Sequence, residues 1–149
     1  MRDYRWIWLL SMLFIACSGA AAAQNAKADP CEKATSQADM NECYGQEYQK
    51  ADAHLNRVYR KAMDYLQHDL AQAGSDQSLK QLAQASIDDL KAAEVAWIKY
   101  RDLQCEAARQ QYQGGTMSSM IHSICMEMAT EHRIDEIKQA YENGERKLE

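Results

Sequence analysis

A single proline, Pro30, stands near the start of the chain, and everything after it to Glu149 is proline-free. That long stretch is rich in Ala, Gln, Glu, Lys and Leu, all good helix formers. Its apolar residues recur every three or four positions, the repeat of one helix face. Met40, Tyr44, Tyr48, Ala51, Leu55, Val58, Ala62, Leu66 and Leu70 place a first helix over about 36–71. Ser36 with Asp39 forms a capping box at its start. Gly74-Ser75 interrupts the pattern, and Ser75 or Asp76 can cap a second helix running to about Gln111. Its inner side would carry Leu79, Leu82, Ile87, Leu90, Ala93, Trp97 and Tyr100. Gly114-Gly115-Thr116 is the next break, with Thr116 able to cap a third helix. That helix would turn Met117, Met120, Ile121, Ile124, Met128, Ile134, Ile137 and Tyr141 inward. No segment alternates as a strand would.

Short connections make successive helices antiparallel, so the expected fold is all-α, an elongated up-down-up three-helix bundle. The chain is one domain long. The helical domain spans 35–142, after a lead-in over 24–34 and before a C-terminal tail over 143–149. Asp29-Pro30 marks a turn ahead of the first helix.

Residues 1–23 have the composition of an export signal. Arg2 and Arg5 precede an apolar run from Trp6 to Ala16, and Ala21-Ala22-Ala23 supplies a small-residue cleavage site. The apolar run is short for a membrane span. Leu13-Phe14-Ile15-Ala16-Cys17 also resembles a bacterial lipoprotein box, which makes lipidation at Cys17 the alternative to ordinary cleavage. The product is expected in the periplasm or secreted, or else anchored in the envelope through Cys17.

Four cysteines then remain: Cys31, Cys43, Cys105 and Cys125. In an exported small domain they read as two disulfides. Cys43 lies 31 residues before Gly74 and Cys105 lies 31 after it, while Cys125 follows Gly114 by eleven. The disulfides therefore gather at one end of the bundle. Pairing Cys31 with Cys43 and Cys105 with Cys125 closes the shortest segments, although the level count also permits Cys43 with Cys105.

The formal charge is −5, with both signs interspersed. No basic footprint for a nucleic-acid backbone is present. An excess of carboxylates suits a cationic partner, and serves solubility equally well.

The richest stretch is Leu90–Cys105. With Trp97 at zero and about 100° per residue, Leu90, Ala93, Trp97 and Ala108 fall within about 40° of one line. Glu94 and Arg101 border it. Counted from Gly74, Asp52 on the first helix faces Trp97, with Asn56 and Tyr59 on the same line. Asp52, Asn56, Tyr59, Trp97 and Arg101 are thus expected to form a polar clamp between two helices, Asp52 accepting from Arg101 or from the Trp97 indole. The competing reading is a groove in which Trp97, Tyr100 and Arg101 grip a partner.

Catalytic patterns are lacking: there is no nucleophile elbow and no histidine pair at zinc spacing. The reading is of a non-enzyme without a cofactor. Met117, Met120, His122, Cys125, Met126 and Met128 could suggest copper(I). Helical phase separates them, since His122 and Met126 fall at about 140° and 180° from Met117, so no metal site is assigned. Gly114-Gly115-Thr116 lacks the lysine and strand of a phosphate loop. It is either a plain interhelical turn or, beside the disulfides, a rigidly held binding tip with Arg109 and Tyr112.

Taken together, the motifs resemble the LprI-like lysozyme inhibitor family of bacterial envelope proteins. The matching residues are Cys31, Thr35, Met40-Asn41-Glu42-Cys43, Tyr48, Asp52, Leu55-Asn56 and Tyr59. They continue through Trp97-Ile98-Lys99-Tyr100-Arg101-Asp102, Cys105, Gly114-Gly115-Thr116, Cys125, Thr130, Arg133 and Ile137. Glu94-Val95 stands where the family usually has Gln-Arg, and Thr116 where it has Ser. The resemblance implies an exported, disulfide-stabilised helical domain that binds lysozyme and occludes its cleft. A structural or assembly role in the envelope, with another protein as partner, is the alternative, and copper carriage a remote one.

Overall fold

The computed structural model describes residues 29–149. The export segment and Cys17 lie outside the described residues. Three helices follow in order: α1 Gln37–Gln72, α2 Gln77–Gln110 and α3 Ser118–Tyr141. They are packed together in an all-α bundle, and there is no strand among the described residues.

Local chemistry sets most of the boundaries. The Ser36 hydroxyl accepts from the Asp39 amide while the Asp39 carboxylate accepts from the Ser36 amide, a reciprocal cap on α1. Gly74, at φ +53°, makes the left-handed turn out of α1 that a side chain would resist. Asp76 then accepts from the Ser78 and Leu79 amides at the start of α2. The third helix departs from expectation. It begins after Met117, which caps it without a side-chain hydrogen bond. Thr116 does not cap; its carbonyl instead accepts from the Asn41 side chain at 3.1 Å.

Both disulfides are present, Cys31–Cys43 and Cys105–Cys125. The first holds the Asp29–Ala34 turn against α1, and the second locks the end of α2 to α3. Cys105 is fully buried.

The core lies mainly between α1 and α3, the most extensive helix pair. Ala51, Leu55, Val58, Ala62 and Leu66 form the buried line of α1, and the two alanines let a neighbour approach closely. Met120, Met126, Thr130, Ile134 and Ile137 are the buried residues of α3. On α2 the buried line is thin: Ile87, Leu90, Arg101 and Cys105.

Several residues expected inside are outside. Leu79 and Leu82 are 51% and 67% exposed. The reason is length: α3 spans about 36 Å against about 54 Å for α1. Tyr141, its last residue, reaches only the level of Asp89 and Leu90. The first turns of α2 therefore meet α1 alone, across an open groove of about 280 Å³ that includes Leu66, Ala73, Leu79 and Leu82. Ala93 and Tyr100 are exposed as well. On α3, Met117 and Met128 face solvent, whereas Met126, placed by phase on the outer side, is buried.

The residues after α3 do not trail away. Leu148 is 1% exposed and belongs to the core cluster with Leu55, Val58 and Ile134. A turn capped by the Asn143 side chain sends the chain back, and Tyr65 both donates to the Lys147 carbonyl and accepts from its amide. Arg146 pairs with Asp69. The segment read from sequence as a tail thus closes one side of the core.

Candidate functional site

Two groups of polar residues need an account: a layer across the middle of the bundle and the tip at its disulfide end.

The middle layer is built around Arg101. Its residue is 7% exposed, so the guanidinium requires compensation. Asp102 supplies it at 2.9 Å and Asp52 of α1 at 3.5 Å. The guanidinium also lies over the Trp97 ring at 4.8 Å and near that of Tyr48 at 5.7 Å. Burial pushes the Tyr48 hydroxyl above its ordinary pKa; the nearby Arg101 opposes this, and Asp52 and Asp102 reinforce it.

Arg133 of α3 adds a second cation over the same indole, at 5.8 Å. It donates to Glu94 of α2 at 3.0 Å and to Glu136 at 2.9 Å. The layer thus links all three helices: Asp52 to Arg101, Arg101 to Trp97, Trp97 to Arg133, and Arg133 to Glu94. No buried side-chain nitrogen or oxygen among the described residues is left without a partner.

Each clamp residue can be placed. Asp52, Trp97 and Arg101 meet as a unit. Asn56 turns back along its own helix to the Asp52 carbonyl and carboxylate, at 2.8 and 3.0 Å. Tyr59 sits closer to Glu94, where burial and then the Glu94 charge raise its hydroxyl pKa. Trp97 engages the cations with its ring face, and no hydrogen bond joins its indole nitrogen to Asp52. The Glu94–Arg133 pair was the residue pair sequence reasoning missed. A signal existed: Glu94 lies 20 residues before Gly114 and Arg133 lies 19 after it, the same level on antiparallel helices.

The tip runs from Arg109 to Thr116, just ahead of the Met117 cap of α3. Arg109 donates two hydrogen bonds to Glu106, at 2.7 and 2.6 Å. That fork holds the Glu106 carboxyl at a pKa of about 2 and raises that of Arg109. Gly114 adopts φ +81°, and Gly115 donates to the Tyr112 carbonyl at 3.1 Å. Tyr112 is 42% exposed. Thr116 is tied to α1 through Asn41, while Gln37 reaches the Met120 sulfur. The tip is therefore an exposed turn braced by α1 and by the Cys105–Cys125 bond. The methionines distribute around α3, two buried and two exposed, rather than converging with His122.

These features define a disulfide-braced helical domain whose buried charges are paired with one another and whose free chemistry lies on its surface. A family model described as lysozyme inhibitor LprI matches residues 28–137, and the chain belongs to that family. An uncharacterized protein of Rhizobium meliloti (strain 1021) is 38% identical over 136 residues, covering 89% of this chain and 93% of that protein. No solved structure matches the chain. Among the described residues, no helix is long and apolar enough to cross a membrane. Membership of an inhibitor family implies a protein partner, and the two disulfides fit an extracytoplasmic protein.

Proposed function

We propose that this chain, exported to the cell envelope, binds lysozyme and inhibits it by occluding the substrate cleft, with the Arg109–Thr116 tip as the inserted element. The observation that carries this reading is the family match, which spans the whole helical bundle except its last turn and the returning tail. The braced tip supports it. A turn already held by Gly114, the Asn41 bond and a neighbouring disulfide loses little conformational freedom on binding. Arg109, Tyr112, Gly114, Gly115 and Thr116 would make the contact, with Tyr112 as the aromatic anchor.

Charge favours the same partner. With residues 1–23 removed, 15 basic residues face 21 acidic ones, a formal charge of −6. Lysozymes of the common type are basic, so encounter is accelerated. Inhibition here is steric and calls for no catalytic group.

The test is the rate of peptidoglycan lysis by a basic lysozyme with the oxidised mature protein in several-fold molar excess. Slowed lysis is expected. Lysis at the uninhibited rate rejects the reading.

A further inference from the structure

The first half of α3 is apolar on two sides. Met120 and Met126 are buried. Met117, Ile121, Ile124 and Met128, spaced four, three and four apart, form a second row about 150° round the helix from the buried line of Met126, Thr130, Ile134 and Ile137. Met117 and Met128 are 41% and 58% exposed, and the two isoleucines are half-buried. Beside the row, between α2 and α3, runs an apolar groove of about 340 Å³ lined by Gln104, Ile121, Ile124, Met128, Ala129 and His132. Tyr100, one turn from Gln104 on α2, is 62% exposed. A helix packed into a lone domain needs one apolar side; a second one is the mark of an interaction surface.

What covers the row is indicated by its border. Glu127, Glu131 and Asp135 follow one another at four-residue spacing, about 50° from the apolar row. None of the three forms a salt bridge with a described residue. Apolar side chains edged by free carboxylates complement a surface where apolar side chains are edged by lysine and arginine. The row also begins at Met117, immediately after the tip. A stable interface takes about 800 Å² from each partner, more than a short turn offers by itself.

We propose that this outer face of α3 is a docking strip for a basic lysozyme, continuous with the tip. The inference rests on the lysozyme reading above and assigns it a surface: the tip enters the cleft while Met117, Ile121, Ile124 and Met128 lie on the enzyme's body, and the three carboxylates meet its cations.

The experiment measures both binding to a basic lysozyme, by calorimetry or surface sensing, and lysis rates. It uses the full mature oxidised protein and variants checked for unchanged melting. Glu131→Lys with Asp135→Lys is expected to weaken binding at least tenfold, mostly through slower association, and Met128→Gln several-fold. A control, Asp64→Lys with Asp88→Lys, makes the same change in net charge on α1 and the early part of α2 and should cost far less. Equal losses from control and strip variants would reduce the effect to net charge and overturn the strip. Strip variants that bind and inhibit normally would overturn it while leaving lysozyme inhibition standing. Binding that the strip variants lose, without slowed lysis by the parent protein, would uphold the strip and reject inhibition. Absence of binding by the parent protein overturns both. Concentration-dependent self-association abolished by Met128→Gln would assign the strip to a second copy of the chain and also overturn the proposal.

Discussion

Glu94 on α2 and Arg133 on α3 meet at 3.0 Å with both side chains largely withdrawn from water, 12% and 13% exposed. Such a pair adds little when complete and costs much when broken, because the survivor is left charged and dry. Arg133→Met is expected to destabilise the domain by about 3 kcal/mol, and adding Glu94→Leu should recover most of that loss. Chemical denaturation of the two single variants and the double one checks this; additive losses would show that the two charges are not coupled.

Trp97 is half-buried, with Arg101 and Arg133 over its ring. Its removal deletes packing against the core and uncovers a guanidinium that is otherwise almost wholly buried. Trp97→Ala should cost about 2 to 3 kcal/mol, below the full cost of an entirely buried tryptophan. Trp97→Phe should retain part of the stacking. A fall in melting temperature for Ala that Phe does not partly restore would contradict the cation–ring account.

The Cys105–Cys125 bond closes a segment of 20 residues containing the tip. Replacing both cysteines with alanine should cost about 3 kcal/mol and loosen the tip, seen as faster amide exchange over 111–117. Replacing Cys31 and Cys43 frees only the lead-in turn and should leave exchange at the tip unchanged.

Glu106 and Arg109 offer a titration test. The Arg109 hydrogen bonds hold the Glu106 carboxyl at about 2 in the folded protein, below its ordinary 4.5. A depressed folded pKa contributes stability that is fully present above about 4.5 and fades as pH falls toward 2. Arg109→Gln should return the Glu106 titration toward its ordinary value, followed by carbon-detected NMR of the carboxyl. A Glu106 midpoint still near 2 would show that some other group depresses it.

Leu148 is 1% exposed. Leu148→Ala is expected to cost about 2 to 4 kcal/mol, which is unusual for a residue this near the last position of the sequence. Deleting 143–149 should destabilise the bundle comparably and expose its core to a hydrophobic dye.

Much of the fold is legible in the residues. Ser36 with Asp39 and Asp76 announce their helices because a capping side chain acts within three residues of itself. Gly74 and Gly114 announce the turns because a positive φ is a local demand. Chain counting from those glycines places Cys105 near Cys125 and Asp52 level with Trp97, one turn from Arg101, since antiparallel helices rise at the same rate. Local propensity, repeat and arithmetic along the chain therefore determined the three helices, their direction and the disulfide end.

Which apolar residues are covered was settled only by the tertiary structure. A period of three and four marks a face as apolar without saying whether a neighbour reaches it. Leu79 and Leu82 follow the pattern and stay wet because α3 is too short to cover them; Met128 does so because α3 packs on Met126, Thr130 and Ile134 instead. Leu148 is buried although it belongs to no periodic run, since the chain returning after α3 fills the gap left beside α1 and α3. Burial depends on the lengths and mutual rotation of whole helices, quantities that arise only when the faces compete for one another.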